Sequence, residues 1–395
     1  MARLCDSNPL LIVCLCQAFT GPLLAPLDIE GGGLHFRGPS SRGKTTILRA
    51  AVSVWSTPSL LRIWRATDNG LEDTAAALNG TLCALDEIGE APARVVSEMV
   101  YMLANGTGKA RASKVGEAIP QLRWRVPMLS TGEMSIAQKV AENKTFARAG
   151  LGVRLLDVPA EIHAHGAFDC LHEAPSAEAF AGMLKLATGS AYGVAGPAFV
   201  EALLADGAKH FDDIQQVMKR FKKDGQSRNS LIGEGQTERA LTRFVLIGAA
   251  GELATKFGLT GWSAGTAEAA AHEVFDHWLR SRGGQEPAEK REAIIRVRSF
   301  IAMHGASRFE RIDGTITGQP TRERAGYVKE GIYWFTPDAW CEVHVGSDPV
   351  QSARYLKDAS YLLPGDGSHL KKKAPTGIPG RPRLYAVSED IAAYE

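Results

Sequence analysis

Two short segments hold residue types whose spacing specifies phosphate chemistry. The first is Gly38-Pro39-Ser40-Ser41-Arg42-Gly43-Lys44-Thr45-Thr46, between a short apolar run and a helix-like stretch. Two glycines, five positions apart, let the backbone curl so that its N–H groups face phosphate oxygens, and the following helix N-terminus adds positive potential. Lys44 then reaches the terminal phosphates and Thr45 ligates magnesium, so ATP and Mg2+ are the expected ligands. The second segment is Thr81-Leu82-Cys83-Ala84-Leu85-Asp86-Glu87, an apolar run ending in tandem carboxylates. Asp86 is suited to the magnesium shell and Glu87 to orienting and deprotonating water. Acidic residues also open helices, where they complement the helix dipole, and that reading competes at this position. Glu87 makes hydrolysis, rather than binding alone, the expected output.

Further pieces lie downstream. Ser130-Thr131-Gly132-Glu133 closes a strand-like run, so Thr131 or Ser130 senses the terminal phosphate or simply caps the next helix. Between the two lies Asn105 to Gly116, with Lys109, Arg111 and Lys114 near-alternating on a possible hairpin. Alternation puts Lys109 and Arg111 on one face, as contact with a DNA backbone would need, although a solvated loop has the same spacing. Arg148 and Arg154 precede the last strand-like run, and in oligomeric ATPases such arginines act on a neighbour's phosphate. Lys219-Arg220-Phe221-Lys222-Lys223 reads as a solvated helix face.

The elements that must position these residues alternate. Strand and helix patterns succeed one another at 33–37, 44–55, 61–67, 71–78, 81–88, 95–104, 123–130, 136–143 and 152–158. Such alternation predicts an α/β fold with a parallel sheet flanked by helices and its ligand at the strands' carboxyl ends. Three parts are expected: 1–165 as this core, 166–282 as an Ala-rich helical lid, and 283–395 as an α+β module after the Ser281 to Ala288 boundary. The last part predicts a helix at 289–304, strands near 307–309, 325–329 and 332–335, and a helix at 350–362. The basic segments Leu370 to Lys373 and Arg381 to Tyr385 follow as a hairpin, which together suggests a winged-helix-like module; a lysine run of this kind is also a common solvated loop.

Composition constrains the rest. With 395 residues and a formal net charge of +1, any nucleic-acid surface must come from local clustering of Lys and Arg. The six cysteines show no paired metal spacing and fit a reducing, cytoplasmic compartment. Leu10 to Ala18 has the outline of a secretory signal, but Asp6 and Pro9 interrupt its start, so a core helix is expected. No stretch is long and apolar enough to span a membrane.

Taken in order, Gly38 to Thr46, Leu85 to Glu90, Ala104 to Arg111, Leu129 to Glu133 and Ala149 to Arg154 resemble the domain-of-unknown-function family numbered 927. That family occurs in helicase-like proteins of phages, plasmids and integrative elements, and the segments are more distantly similar to the minichromosome-maintenance branch of AAA+ ATPases. The resemblance covers about residues 8 to 282. It implies an AAA+ P-loop ATPase core, a homo-oligomeric ring of six subunits threaded by single-stranded or forked DNA, and a pore hairpin at Lys109 to Lys114. It also implies a lid arginine acting on a neighbour, which Arg239 matches. The expected function is an ATP-dependent DNA helicase or translocase of a mobile genetic element. Two rivals share the motifs: an AAA+ initiator or helicase loader, and a DNA-binding regulator with a nucleotide switch.

Overall fold

The computed structural model describes the chain except residues 66–67, 110, 113–117, 120, 144–149, 162–163, 229–234, 283–287, 313–322, 346, 368 and 395. The described residues form two compact units, Met1–Gln285 and Glu286–Glu395.

The first unit opens with helices α1 (Ala2–Cys5), α2 (Pro9–Phe19) and α3 (Gly21–Leu24). The alternating part follows: β1 (Gly32–Arg37), α4 (Lys44–Val52), β2 (Arg62–Ile63), α5 (Asp68–Ala77), β3 (Cys83–Asp86) and α6 (Ala93–Asn105). Next come β4 (Arg111–Ala112), β5 (Ala118–Ile119), β6 (Pro127–Gly132), α7 (Ile136–Ala141), α8 (Leu151–Arg154) and β7 (Leu155–Pro159). Helices α9 (Ala177–Ser190), α10 (Ala195–Ala205), α11 (Gly207–Arg228), α12 (Gly235–Lys256) and α13 (Thr266–Ser281) complete the unit.

Strands β2, β3, β6, β1 and β7 lie side by side in that order, and every pairing is parallel. This is the flanked parallel sheet that the alternation predicts, and burial on both faces explains why its strands read as continuous apolar runs. The apolar run after Asn8 is α2, a core helix in which all eleven residues are buried. A helix apolar all round must be covered all round. Helices α4, α12 and α13 pack on it, so the sheet's α4 face and the helices after residue 176 share one continuous apolar core. A second cluster, with Trp64, Met99, Trp124 and Leu155, fills the opposite face.

Element ends depart from the sequence expectations where local pattern is blind to pairing. The 61–67 run supplies only the two residues of β2, an edge strand. Strand β6 starts at Pro127 rather than 123, and Arg154 ends a short helix instead of lying within a strand.

The second unit contains α14 (Ala288–His304), β8 (Phe309–Arg311), β9 (Gly326–Lys329), β10 (Ile332–Phe335), α15 (Pro337–Val343), α16 (Pro349–Asp358), β11 (Leu362–Leu363), β12 (Lys372–Lys373) and β13 (Arg383–Ser388). Its sheet runs β11-β13-β10-β9-β8, with β12 also paired to β13. The basic hairpin is therefore formed, antiparallel, with Lys372 opposite Leu384 and Lys373 opposite Arg383. Helix α15 was not expected, although Thr336 caps it through Ala339 N–H and Pro337 opens it, both ordinary start signals. Helix α16 stops at Asp358, and Leu362, expected in the helix, pairs with Val387 instead.

Candidate functional site

The glycine loop joins β1 to α4. Gly43 has φ 86°, a left-handed conformation, and a Cβ built there would stand 2.7 Å from Phe168 Cζ, so only glycine fits. Gly38 is different: a Cβ there would meet nothing closer than 3.6 Å. The Lys44 ammonium folds onto its own loop, donating to the carbonyls of Gly38 at 2.7 Å and Pro39 at 2.6 Å. Burial holds this amine below the usual lysine range, opposed by the charges of Glu87, Glu133, Asp86 and Glu161. Above the loop lies a cavity of about 730 Å3, whose walls include Lys44, Thr45, Glu87 and Phe168.

Sheet register brings the second segment to this loop. Leu85 of β3 lies opposite Ser130 of β6, which places Asp86 beside Thr131. The Thr131 hydroxyl donates to Asp86 Oδ1, and Thr45 Oγ1 donates to the same oxygen at 3.4 Å. The Glu87 N–H in turn donates to Thr131 Oγ1 at 3.2 Å. Glu87 has φ 57°, unusual for a side-chain-bearing residue, and the chain then makes a 3-10 turn, Ile88–Glu90. No α-helix opens at these acids, so the dipole reading of Asp86 and Glu87 does not apply. Strain of this kind, on the order of 1–3 kcal/mol, persists where the surroundings hold it.

Of the two strand-end hydroxyls, only Thr131 is hydrogen-bonded to Asp86. Ser130 points to the other face and joins a buried chain that the motifs do not reveal. Trp64 Nε1 donates to Ser130 Oγ at 2.8 Å, Ser130 Oγ lies 2.8 Å from His35 Nδ1, and His35 Nε2 lies 2.9 Å from the Met134 carbonyl. Indole nitrogen only donates and a carbonyl only accepts, so Trp64 donates to Ser130 and His35 Nε2 donates to Met134; with the imidazole neutral, Nδ1 is then the acceptor and Ser130 donates to it. Burial pulls the His35 pKa down to about 4, with Arg37 and Lys44 nearby adding to the effect and the Met134 carbonyl opposing it. A polar residue inside a buried strand needs a partner, and that was the available signal for His35.

A pH prediction arises here. His35 has a folded pKa below its unfolded value of 6.5, so the stability from keeping it neutral is complete above that pH and is lost as pH falls toward 4. His35→Phe is expected to be most destabilising at neutral pH, with the gap from the parent narrowing by about 3 kcal/mol at acid pH. Urea denaturation of both proteins across this range measures it; a constant gap refutes it.

The remaining candidates are dispersed. Arg154 sits at the amino-terminal edge of the sheet, where Gly33 pairs with Leu155, while the glycine loop follows the carboxyl end of β1. Its guanidinium donates to Asn105 Oδ1 at 3.2 and 3.3 Å and lies 4.5 Å over the Tyr101 ring. Arg239 is exposed on α12, one turn before Arg243, which donates to the Gly31 carbonyl at 3.2 Å. Arg148 and Lys114 lie outside the described residues. Strands β4 and β5 pair antiparallel, Arg111 with Ile119, so the backbone of a hairpin is present between α6 and β6. Lys109 at its base is exposed, and its N–H donates to Glu72 Oε1 at 3.1 Å. Glu72 is buried, and sequence pattern did not single it out. In the 219–223 stretch, Arg220 pairs with Glu268 at 2.5 Å and Lys222 with Glu238 at 2.8 Å, as a solvated face would.

With the glycine loop and Glu87 on one cavity and Asp86 bonded to Thr45 beside it, the comparisons acquire a structural reference. Residues 1–123 match the model of DUF927, a domain of unknown function. The DUF927 segment contains the glycine loop, Lys44, Thr45, Asp86 and Glu87, and ends before β6. Among solved structures, the chain resembles one described as "SCCmec type IV Cch - active helicase", with 19% identity and a TM-score of 0.72, covering 98% of this chain and 68% of that one. At that identity the likeness is one of fold. A second, NtrX from Brucella abortus in complex with ATP, has 14% identity and a TM-score of 0.23 over 86% of this chain and 65% of that one, too little for any argument. No curated protein matches. Among the described residues, no helix is long and apolar enough to cross a membrane, and no cluster of His, Cys, Asp and Glu forms a metal site on its own.

Proposed function

We propose that the chain is an ATP-driven DNA helicase or translocase of a mobile genetic element. One observation carries this reading: Lys44, Thr45 and Glu87 share a cavity of about 730 Å3, and Thr131 hydrogen-bonds both Asp86 and the Glu87 amide beside it. ATP and magnesium suit these residues. The cavity falls within the roughly 300–1,000 Å3 of small-molecule sites. Gly43 leaves room where any side chain would meet Phe168, and Thr45 with Asp86 offers the oxygen donors that magnesium takes.

Lys44 and the loop N–H groups would hold the phosphates, and Thr45 and Asp86 the metal. Bound ATP supplies the phosphoanhydride bond whose hydrolysis drives the motor. Glu87 orients water and accepts its proton, while Thr131 fixes both acids relative to the loop. Catalysis of this type is positioning plus electrostatics. In the same reading, residues 1–165 are the ATPase core, 166–282 the lid and 283–395 a separate module. A neighbouring copy in a ring, six-membered by resemblance, supplies Arg148, Arg154 or Arg239, and the β4–β5 hairpin with Lys109, Arg111 and Lys114 grips DNA. The helicase likeness in fold supports this over a switch without a motor.

The test is ATP hydrolysis with and without DNA, together with strand displacement from a tailed duplex. Stimulation by DNA and displacement are expected. Hydrolysis indifferent to DNA refutes the motor, and stimulation without displacement favours the loader.

A further inference from the structure

The basic hairpin of the second unit has no part in the function just described. From Lys371 to Arg383 the sequence is Lys-Lys-Lys-Ala-Pro-Thr-Gly-Ile-Pro-Gly-Arg-Pro-Arg, five cations and no carboxylate in thirteen residues. A charge run of this sort is usually a mobile, solvated loop. This one is built. Ala374 and Ile378 at its tip are buried in a small core with Tyr327, Trp334 and Leu384. Arg381 Nε donates to the Ala374 carbonyl at 3.0 Å, and Ala374 N–H to the Pro382 carbonyl at 2.9 Å. Lys329 Nζ reaches across from β9 to the Thr376 carbonyl at 3.2 Å. Three prolines stiffen the turn further.

Ala374 and Ile378 thus face inward, Lys371 lies over the Tyr385 ring at 5.2 Å, and the other four cations are in solvent. Lys372, Lys373, Arg381 and Arg383 are all exposed. Lys372, Lys373 and Arg383 make no ion pair among the described residues. Holding unpaired like charges together is unfavourable unless an anion spreads along them. A rigid row also loses little entropy when it binds.

We propose that the β12–β13 hairpin is a docking surface for the phosphate backbone of double-helical DNA, separate from the β4–β5 hairpin. Two features select this partner. Single strands are gripped by exposed aromatic platforms, yet the exposed large apolar side chains of this unit, among the described residues, are Met303, Val345 and Val350. An anionic membrane would call for an apolar tip to insert, and Ile378 is turned inward, 2% exposed. The inference goes beyond the motor reading and does not need ATP.

The experiment titrates the full chain into labelled duplex and single-stranded DNA over a range of salt, without nucleotide. Lys372→Gln/Lys373→Gln/Arg383→Gln is expected to weaken duplex binding roughly tenfold or more and to lower the salt slope by roughly three, about one per cation removed. Single-strand binding should change little, and Lys372→Arg/Lys373→Arg/Arg383→Lys should restore the duplex. Should the triple variant fail to fold, single substitutions each lowering the slope by about one keep the readout. Unchanged duplex binding, equal losses on both DNAs, or binding only to phosphatidylserine vesicles overturns the proposal. A chain that docks duplex through these residues yet hydrolyses no ATP would sink the motor reading alone.

Discussion

Glu87→Gln is expected to lower the kcat of ATP turnover roughly 10²–10⁴-fold, while nucleotide binding persists. Amide and carboxylate are nearly isosteric, so the backbone at φ 57° and the amide bond to Thr131 Oγ1 at 3.2 Å are retained. What disappears is the carboxylate proposed to take a proton from water. Lys44 and the loop N–H groups are unchanged, so a fluorescent ATP analogue should bind within a few-fold of the parent affinity. Phosphate release measured beside that titration decides the matter. A variant retaining a tenth or more of the parent rate would show that Glu87 is not the base, and a variant that loses binding would show that it shapes the pocket instead.

The second large effect belongs to Gly43. An added Cβ would stand 2.7 Å from Phe168 Cζ in a residue already at φ 86°. Left-handed backbone costs a side-chain-bearing residue about 1–2 kcal/mol, and the contact adds to that. The loop escapes by leaving this conformation, and apparent affinity falls in proportion to the competent fraction. For Gly43→Ala, ATP affinity is expected to drop at least tenfold, roughly the 1.4 kcal/mol that strain alone represents. Combining it with Phe168→Leu should recover only part of the loss, because the contact is relieved and the φ penalty is not. Isothermal titration of the three proteins measures this. Full affinity in Gly43→Ala would mean that the loop works in another conformation.

These predictions separate what local pattern carries from what packing adds. The glycine loop, the tandem acids and the strand-helix alternation are readable because each is a run of neighbours, and the parallel sheet follows from that alternation. The buried α2 is readable as a core helix for the same reason, although two of the helices that cover it, α12 and α13, come from more than 200 residues away. Edge strands such as β2 are poorly readable, since two residues carry no period. The capping of α15 by Thr336 was in the sequence but overshadowed by the strands before it.

What the sequence alone determined is the chemical inventory: a curled loop with its lysine, two carboxylates, small hydroxyls at a strand end and a carboxylate-free basic run. Tertiary structure decided how that inventory is divided. Parallel register put Leu85 opposite Ser130, which sent Thr131 to Asp86 and Ser130 to His35 on the other face. Packing turned Ala374 and Ile378 of the Lys371 to Arg383 segment inward and left Lys372, Lys373, Arg381 and Arg383 in solvent. The physical reason is the same in both cases. Side-chain direction alternates along a strand, so a residue's neighbours are set by strand pairing and burial across the sheet, which sequence spacing does not record.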